Sequence, residues 1–298
     1  MPFPPRRRTD GEAVSAPLQI AEDDHLRSLY MRKLVHGVVP RASRPAATDI
    51  PKTIVQFWHD FGALPADVRE CLDSWELLTS QGFKRKMFDD TNARTFILGR
   101  FGRTFVAAFD RCHHPAMRCD YFRLCYIFAH GGFYVDADEQ YTGASCEDLF
   151  RDDRLKLQPL CYDALTDKMV ATDVLVRKEA ISPAWIFYVN NNPIVAPPFH
   201  PIIRLALARS TRILLRESGR PDIQSTTGPG NLTASLVMHS LTSRQAGKDQ
   251  DFLFLNNWES ISISRWPLSY RDDERNWRLW NPTNETVDEA RRPPGVAY

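Results

Sequence analysis

The chain lacks a cysteine framework. Its 298 residues include six cysteines (Cys71, Cys112, Cys119, Cys125, Cys146 and Cys161), but none form a CxxC pair and their spacing matches no small secreted scaffold. They are expected to be reduced and mostly buried, in a cytoplasmic protein. No apolar run approaches the ~18 residues of a membrane-spanning helix. Arg6-Arg7-Arg8 is followed by no apolar stretch, so no secretory leader is expected. Such a basic arm has two readings, a peripheral touch on an anionic membrane surface or a plain disordered tail. An excess of one charge is missing too. Lys and Arg number 38 against 37 Asp and Glu, a net charge of +1. A dedicated nucleic-acid binder usually carries a basic excess, so nucleic acid is not an expected partner. There is no internal repeat and no low-complexity tract.

A sizeable core is affordable, with 43% hydrophobic and 25% charged residues. The length permits one large α/β domain or two ordinary ones. Residues 1–48, rich in Pro, Arg, Ala and Ser, are expected to form an N-terminal arm, partly disordered, with a short helix near 21–38. Residues 49–298 are taken as one domain opening at Ile50-Pro51-Lys52. The β-branched, aromatic run 53–60 (TIVQFWHD) predicts a buried strand. Residues 66–81 carry apolar positions at helical spacing. A second strand is expected over 83–90, with Asp90-Thr91 capping a helix through Leu98. Residues 116–129 predict an amphipathic helix stopped by His130-Gly131-Gly132, and Phe133–Asp138 predicts the strand that leaves it. Further on, a Pro-rich loop from 183 precedes a helix over 202–215, and the loop 224–236 feeds another helix. Strand–helix–strand alternation means a mainly parallel sheet with helices on its faces.

Asp136 and Asp138 lie at a predicted strand end, where ligands of parallel α/β sheets sit. Two residues apart on an extended chain, their side chains point the same way. Like charges that close call for a cation or a positive side chain between them. Carboxylate oxygens suit Mg²⁺ or Mn²⁺, which keep positions open for phosphate oxygens. A pair of solvated acids opening a loop is the plainer alternative. The preceding helix adds Asp120 and Arg123, three residues apart on one face. Arg123 is suited to a diphosphate or a sugar hydroxyl, and Asp120 to accepting hydroxyl hydrogen bonds.

The run Cys119-Asp120-Tyr121-Phe122-Arg123, followed by Gly131-Gly132-Phe133-Tyr134-Val135-Asp136-Ala137-Asp138, resembles the DXD-containing sugar-binding region of a glycosyltransferase family. That family includes fungal α-1,6-mannosyltransferases and capsular-polysaccharide enzymes, and the clostridial glucosylating toxins are similar at these positions. IPKTIVQFW (50–58) resembles the family's opening strand, with Val55 where His is usual. FDD (88–90), NNPIVAPPFHP (191–201) and TTGPGNLT (226–233) resemble further blocks, so the likeness spans roughly 50–240.

The resemblance implies a GT-A (Rossmann-like) fold, a UDP- or GDP-hexose donor, a Mn²⁺ or Mg²⁺ ion and a saccharide or other hydroxyl acceptor. It implies Asp138 as direct metal ligand, with Asp136 touching ribose and metal-bound water. Asp120 and Arg123 would hold the donor sugar, and Gln56, Trp58 and Asp89 would lie on the nucleotide. Such enzymes usually retain anomeric configuration; no nucleophile is evident, and no catalytic base is assigned. The family's usual closing His or acid before Ser-Trp is absent here. YRDDERNWRLW (270–280) stands there instead, with Asp272 or Asp273 to supply a ligand and Trp277 or Trp280 to pack on the diphosphate. That change leaves two alternatives open: a catalytically weak nucleotide-sugar-binding protein, and a toxin-like protein-modifying transferase. A haloacid-dehalogenase-like phosphatase needs Ser or Thr two residues past the second Asp, where Gln140 stands.

Minor signals have plainer readings. His113-His114 before Pro115 fit a loop entering a helix better than a metal site. His59 is a candidate for the donor side, and His200-Pro201 fit a structural turn. Thr227-Gly228-Pro229-Gly230 is either a plain turn or a backbone anion site. Asn231 and Asn284 match the glycosylation pattern by chance.

Overall fold

The structure is a computed structural model and describes residues 16–37, 49–179, 181–216 and 219–279. The Arg6–Arg8 arm, Trp280 and the Asn284 sequon lie outside the described residues. Helices α1 (Ala16–Glu22) and α2 (Asp24–Val35) precede β1 (Thr53–Phe57), α3 (Ala66–Ser74), β2 (Lys84–Phe88), α4 (Asp90–Phe101) and α5 (Arg103–Asp110). Then come α6 (Pro115–His130), β3 (Gly132–Tyr134), β4 (Glu139–Tyr141), β5 (Leu155–Asp163), β6 (Lys168–Met169), α7 (Thr172–Leu175) and β7 (Trp185–Ala196). The remainder is α8 (Pro201–Arg216), α9 (Ile223–Thr226), α10 (Pro229–Gln245), β8 (Phe252–Phe254), α11 (Trp258–Ile261) and β9 (Ser262–Ser264).

The fold is α/β, around a seven-stranded sheet ordered β2-β1-β3-β7-β5-β6, with β8 also on β5. The sheet is mainly parallel: β2, β1, β3, β5 and β8 point one way, and β7 and β6 the other. Strand register sorts the core. Ile54, Phe133 and Val195 sit side by side and face a cluster containing Trp75 and Trp258. Their neighbours Val55, Tyr134 and Ile194 face the larger cluster under α4, α5, α6, α8 and α10. Each fully buried aromatic or aliphatic side chain contributes about 1.5–3 kcal/mol.

Local chemistry sets the elements that carry the site. His114 caps α6, its Nδ1 accepting from the Ala116 amide, and Pro115 takes the first turn, where no N–H is needed. Gly131 ends α6 with φ of 65°, and a Cβ there would lie 2.7 Å from Ala196 O and Pro198 N. Only glycine lets α6 stop so close to β7. Asp89 caps α4 in a reciprocal box with Asn92.

The sequence reading needs six corrections. Asp89, not Asp90-Thr91, caps α4, which runs on past Leu98 to Phe101. The helix expected over 66–81 turns 3-10 from Trp75 to Gln81. Residues 229–236, expected as loop, already belong to α10, and a 12-residue strand, β7, replaces much of the loop expected after 183. Strand β3 stops at Tyr134, and the chain turns at Ala137-Asp138 instead of staying extended. The single helix near 21–38 is two. These pack into the body: Met31 is fully buried, and Ser28 Oγ accepts from the Phe187 amide at 3.0 Å.

Candidate active site

A cleft of about 1070 Å³ opens past the C-terminal ends of β1 and β3. Trp58 and His59 reach it from the end of β1, Asp120 and Arg123 from α6, and Asp136 and Asp138 from the turn after β3. Asn190, Asn191 and Asn192 enter it from β7. Six sequence candidates (Trp58, Asp120, Arg123, Asp136, Asp138 and His59) therefore meet in one place.

Arg123 is the hub. Its Nη2 lies 2.8 Å from Asp136 Oδ1 and 3.0 Å from Asp120 Oδ1, and its Nη1 donates to Asn191 O at 2.6 Å. The guanidinium also lies 4.4 Å from the Tyr134 ring centre. It is nearly sealed from water, at 3% exposure. A buried arginine needs that density of acceptors to offset lost hydration. Asp120 receives Asn191 Nδ2 at 2.8 Å and Thr227 Oγ1 at 3.3 Å. Burial still pushes its carboxyl up to about 6, although Arg123 pulls it down.

The two acids after β3 are held differently. Asp136 takes Arg123 Nη2 and Tyr134 OH on Oδ1, and its backbone N–H donates to Asn192 Oδ1 at 2.9 Å. Asp138 takes Tyr270 OH at 3.0 Å and the Arg271 guanidinium, both on Oδ2. Burial, followed by the charge of Asp136, holds the Asp138 carboxyl above its usual range. Behind them Glu139 accepts from Asn192 Nδ2 and from Ser262 Oγ, and burial raises its carboxyl to about 8.

These residues suit a hard divalent cation. The side-chain hydrogen bonds to Asp136 end on one oxygen and those to Asp138 on one oxygen, leaving the second oxygen of each clear of protein donors among the described residues. No group of three or more His, Cys, Asp or Glu able to hold a metal occurs among those residues. Two carboxylate oxygens, one each from Asp136 and Asp138, would leave the other positions of such an ion to phosphate and water.

Two candidates fall outside the cleft lining. Gln56 is fully buried within the sheet, its Oε1 accepting from Arg85 Nε at 2.9 Å. Asp89 is committed to its helix cap. In the C-terminal segment Asp273 turns to Arg275, and neither it nor Asp272 lines the cleft. Tyr270, Arg271, Arg275 and Trp277 line it instead. The sequence pointed to an acid beside Asp138, and the structure puts an arginine there. Arg271 lies in the same short block, but nothing in the sequence says which of its charged side chains turns to Asp138.

The remaining signals resolve simply. His114 joins its cap role to a 3.0 Å contact between Nε2 and Glu274 O. His200 accepts the Ile202 amide at Nδ1 and meets Asp251 O, which makes it a structural turn. Thr227 joins the site through Asp120, and Gly230 packs so tightly that a Cβ would lie 2.9 Å from Gln224 O. Asn231 is fully buried, its Nδ2 donating to Ala206 O and Ser210 Oγ, so it is no glycosylation acceptor in the folded chain. All six cysteines are free. Among the described residues no helix is long and apolar enough to cross a membrane.

Among the described residues, the buried side-chain N–H donors without an acceptor include Trp58 Nε1, Arg123 Nε, Trp258 Nε1 and Arg271 Nε, all of residues that line this cleft, and Gln56 Nε2, which lies off it. Unsatisfied buried groups are uncommon, and four donors around one cavity mark a place for an oxygen-rich ligand.

Fold and site together define an α/β protein with an acid-and-arginine cleft at the carboxyl ends of parallel strands. Comparison with known proteins gives glycosyltransferases. No family model matches the chain. It is 28% identical over 90 residues to an uncharacterized glycosyltransferase of Acanthamoeba polyphaga mimivirus, covering 30% of this chain and 36% of that one. It is 26% identical over 112 residues to the initiation-specific alpha-1,6-mannosyltransferase of Schizosaccharomyces pombe, covering 35% of this chain and 28% of that one. The match thus spans about a third of the length of these relatives. Among solved structures, the PaToxG glycosyltransferase aligns over 88% of this chain and 94% of its own, with a TM-score of 0.45 and 15% identity.

Proposed function

We propose that this chain is a glycosyltransferase that moves a hexose from a UDP- or GDP-linked donor to a saccharide or other hydroxyl acceptor, with Mn²⁺ or Mg²⁺ and with retention of configuration. The observation that carries the reading is the Asp120–Arg123–Asp136 cluster, with Asp120 and Arg123 buried and Asp136 opening on the same cleft as Asp138. The local likeness to two named glycosyltransferases supports it.

In the reaction, the bond from the donor sugar's C1 to the diphosphate oxygen breaks. A bond from C1 to the acceptor oxygen forms, and the hydroxyl proton leaves with the diphosphate. Asp138 and Asp136 would hold the ion, through the oxygens that carry no protein hydrogen bond. Bound there, it would offset charge growing on the leaving diphosphate. Asp120, fixed by Asn191 and Arg123, accepts from sugar hydroxyls. Arg123 anchors Asp136 so that its free oxygen keeps one orientation. Trp58, whose ring meets Tyr270 at 5.4 Å, forms an aromatic wall for the base or ribose.

The test is nucleotide release from a panel of UDP- and GDP-hexoses, with Mn²⁺ or with EDTA. Metal-dependent release from one donor supports the reading and names the donor. Metal-dependent nucleotide binding without release, across a panel of acceptors, would favour a binding protein instead.

A further inference from the structure

Arg271 is in an unusual position. It reaches the cleft from the C-terminal segment and places its guanidinium on Asp138, the acid closest to the expected cation. Its face stacks on Trp266, 3.7 Å from the ring centre. Of its five N–H donors, Nη2 alone has an acceptor among the described residues, and Nε is buried without one. A mostly buried guanidinium with one carboxylate oxygen is underbonded, because its fork is built to grip two oxygens.

Charge points the same way. In the ion-paired cluster at the strand ends, three carboxylates (Asp120, Asp136, Asp138) meet two guanidiniums (Arg123, Arg271). A divalent ion arriving alone on the clear oxygens of Asp136 and Asp138 meets the Arg271 guanidinium already seated on the other oxygen of Asp138, like charge against like. An ion arriving with a diphosphate brings the oxygens that Arg271 lacks. Arg275 and Arg278 line the same wall, with Arg278 4.7 Å from the Trp277 ring, so the segment is cationic where an anion would lie.

We propose that Arg271 is a resident counter-cation: it neutralises Asp138 from one oxygen in the nucleotide-free protein, weakens binding of the divalent ion at the other, and turns to the diphosphate when nucleotide and metal enter together. This rests on the glycosyltransferase reading and adds an order of binding to it. Metal affinity without nucleotide is then low because the protein supplies its own cation.

The experiment is titration of Mn²⁺, followed by electron paramagnetic resonance, into nucleotide-free wild type, Arg271→Gln, Arg271→Lys and Trp266→Ala, repeated with saturating UDP or GDP. Wild type and Arg271→Lys should bind Mn²⁺ weakly alone and at least tenfold more tightly with nucleotide. Arg271→Gln should bind Mn²⁺ alone at least tenfold more tightly than wild type, with weaker metal-free nucleotide binding. Trp266→Ala, at a 60% exposed position where folding tolerates change, should fall between them. Unchanged Mn²⁺ affinity in both Arg271→Gln and Trp266→Ala overturns the proposal while leaving the glycosyltransferase reading intact. No Mn²⁺ binding by any of these proteins, with or without nucleotide, overturns both.

Discussion

Arg123 donates through Nη1 to the carbonyl of Asn191 at 2.6 Å, and Asn191 Nδ2 donates to Asp120 at 2.8 Å. This exchange ties α6 to the antiparallel strand β7 across the base of the cleft. It fixes Arg123 and Asp120 through a third residue. Its neighbour Asn192 does the same for the acids, with Oδ1 on the Asp136 amide and Nδ2 on Glu139.

Arg123→Met should unfold the protein far more easily. Removing the guanidinium leaves Asp120 and Asp136 without their common partner, and breaking a buried pair this way costs about 3–5 kcal/mol. Urea unfolding measures it. A loss below about 1 kcal/mol would mean that the cluster is hydrated and contributes little.

Asp120 should make stability depend on pH. Its folded carboxyl is raised from 3.8 to about 6, chiefly by burial. Between those values the native protein keeps a proton that the unfolded chain has lost, so this group's contribution falls as pH rises through that window. The penalty is absent below the unfolded value and complete above the folded one, reaching at most about 3 kcal/mol. Asp120→Asn removes it. The difference in urea midpoint between wild type and Asp120→Asn should therefore move in the variant's favour from pH 4 to pH 7. A difference that stays flat would show that Asp120 titrates normally.

Gly131→Ala should cost more than Gly82→Ala. Both glycines have positive φ, 65° and 83°, which costs an alanine roughly 1 kcal/mol or more. At Gly82 a Cβ meets nothing within 4 Å, while at Gly131 it meets Ala196 O and Pro198 N at 2.7 Å. The extra clash pushes α6 off β7 and with it Arg123 off Asn191. Thermal unfolding should show the Gly131 variant several degrees below the Gly82 variant, and equal losses would remove packing as the reason for this glycine.

Legibility followed local chemistry. The 116–138 block was readable because helix period, glycine stop and paired acids each leave a signature, and all four of its charged candidates meet in the cleft. Strand β7 was not readable. WIFYVNNNPIVA carries three asparagines and a proline, which propensity assigns to turns, yet those asparagines are spent on Gln158, Asp120 and Glu139. Tertiary hydrogen bonds overrode local preference there. Gln56 was misplaced because strand alternation decides which face a residue takes, and that depends on the register with β2 and β3. Arg271 needed the fold itself, since 133 residues separate it from Asp138.

The paired acids should separate function from stability. Asp138→Asn keeps an oxygen to accept from both Tyr270 and Arg271, and the side-chain bonds of Asp138 reach only the single 3-10 turn Ser269–Asp272, not the sheet or α6. Its melting temperature should stay within a few degrees of wild type, while metal-dependent nucleotide release falls on the order of 10² or more. Asp136→Asn differs, because Asp136 also answers the buried Arg123. That variant should lose both activity and stability. Parallel melting curves and nucleotide-release assays with Mn²⁺ or EDTA decide the matter. If Asp138→Asn kept full metal-dependent release, the cation would have to sit elsewhere. If both variants melted like wild type, Arg123 would be held by Asn191 and Asp120 without help from Asp136.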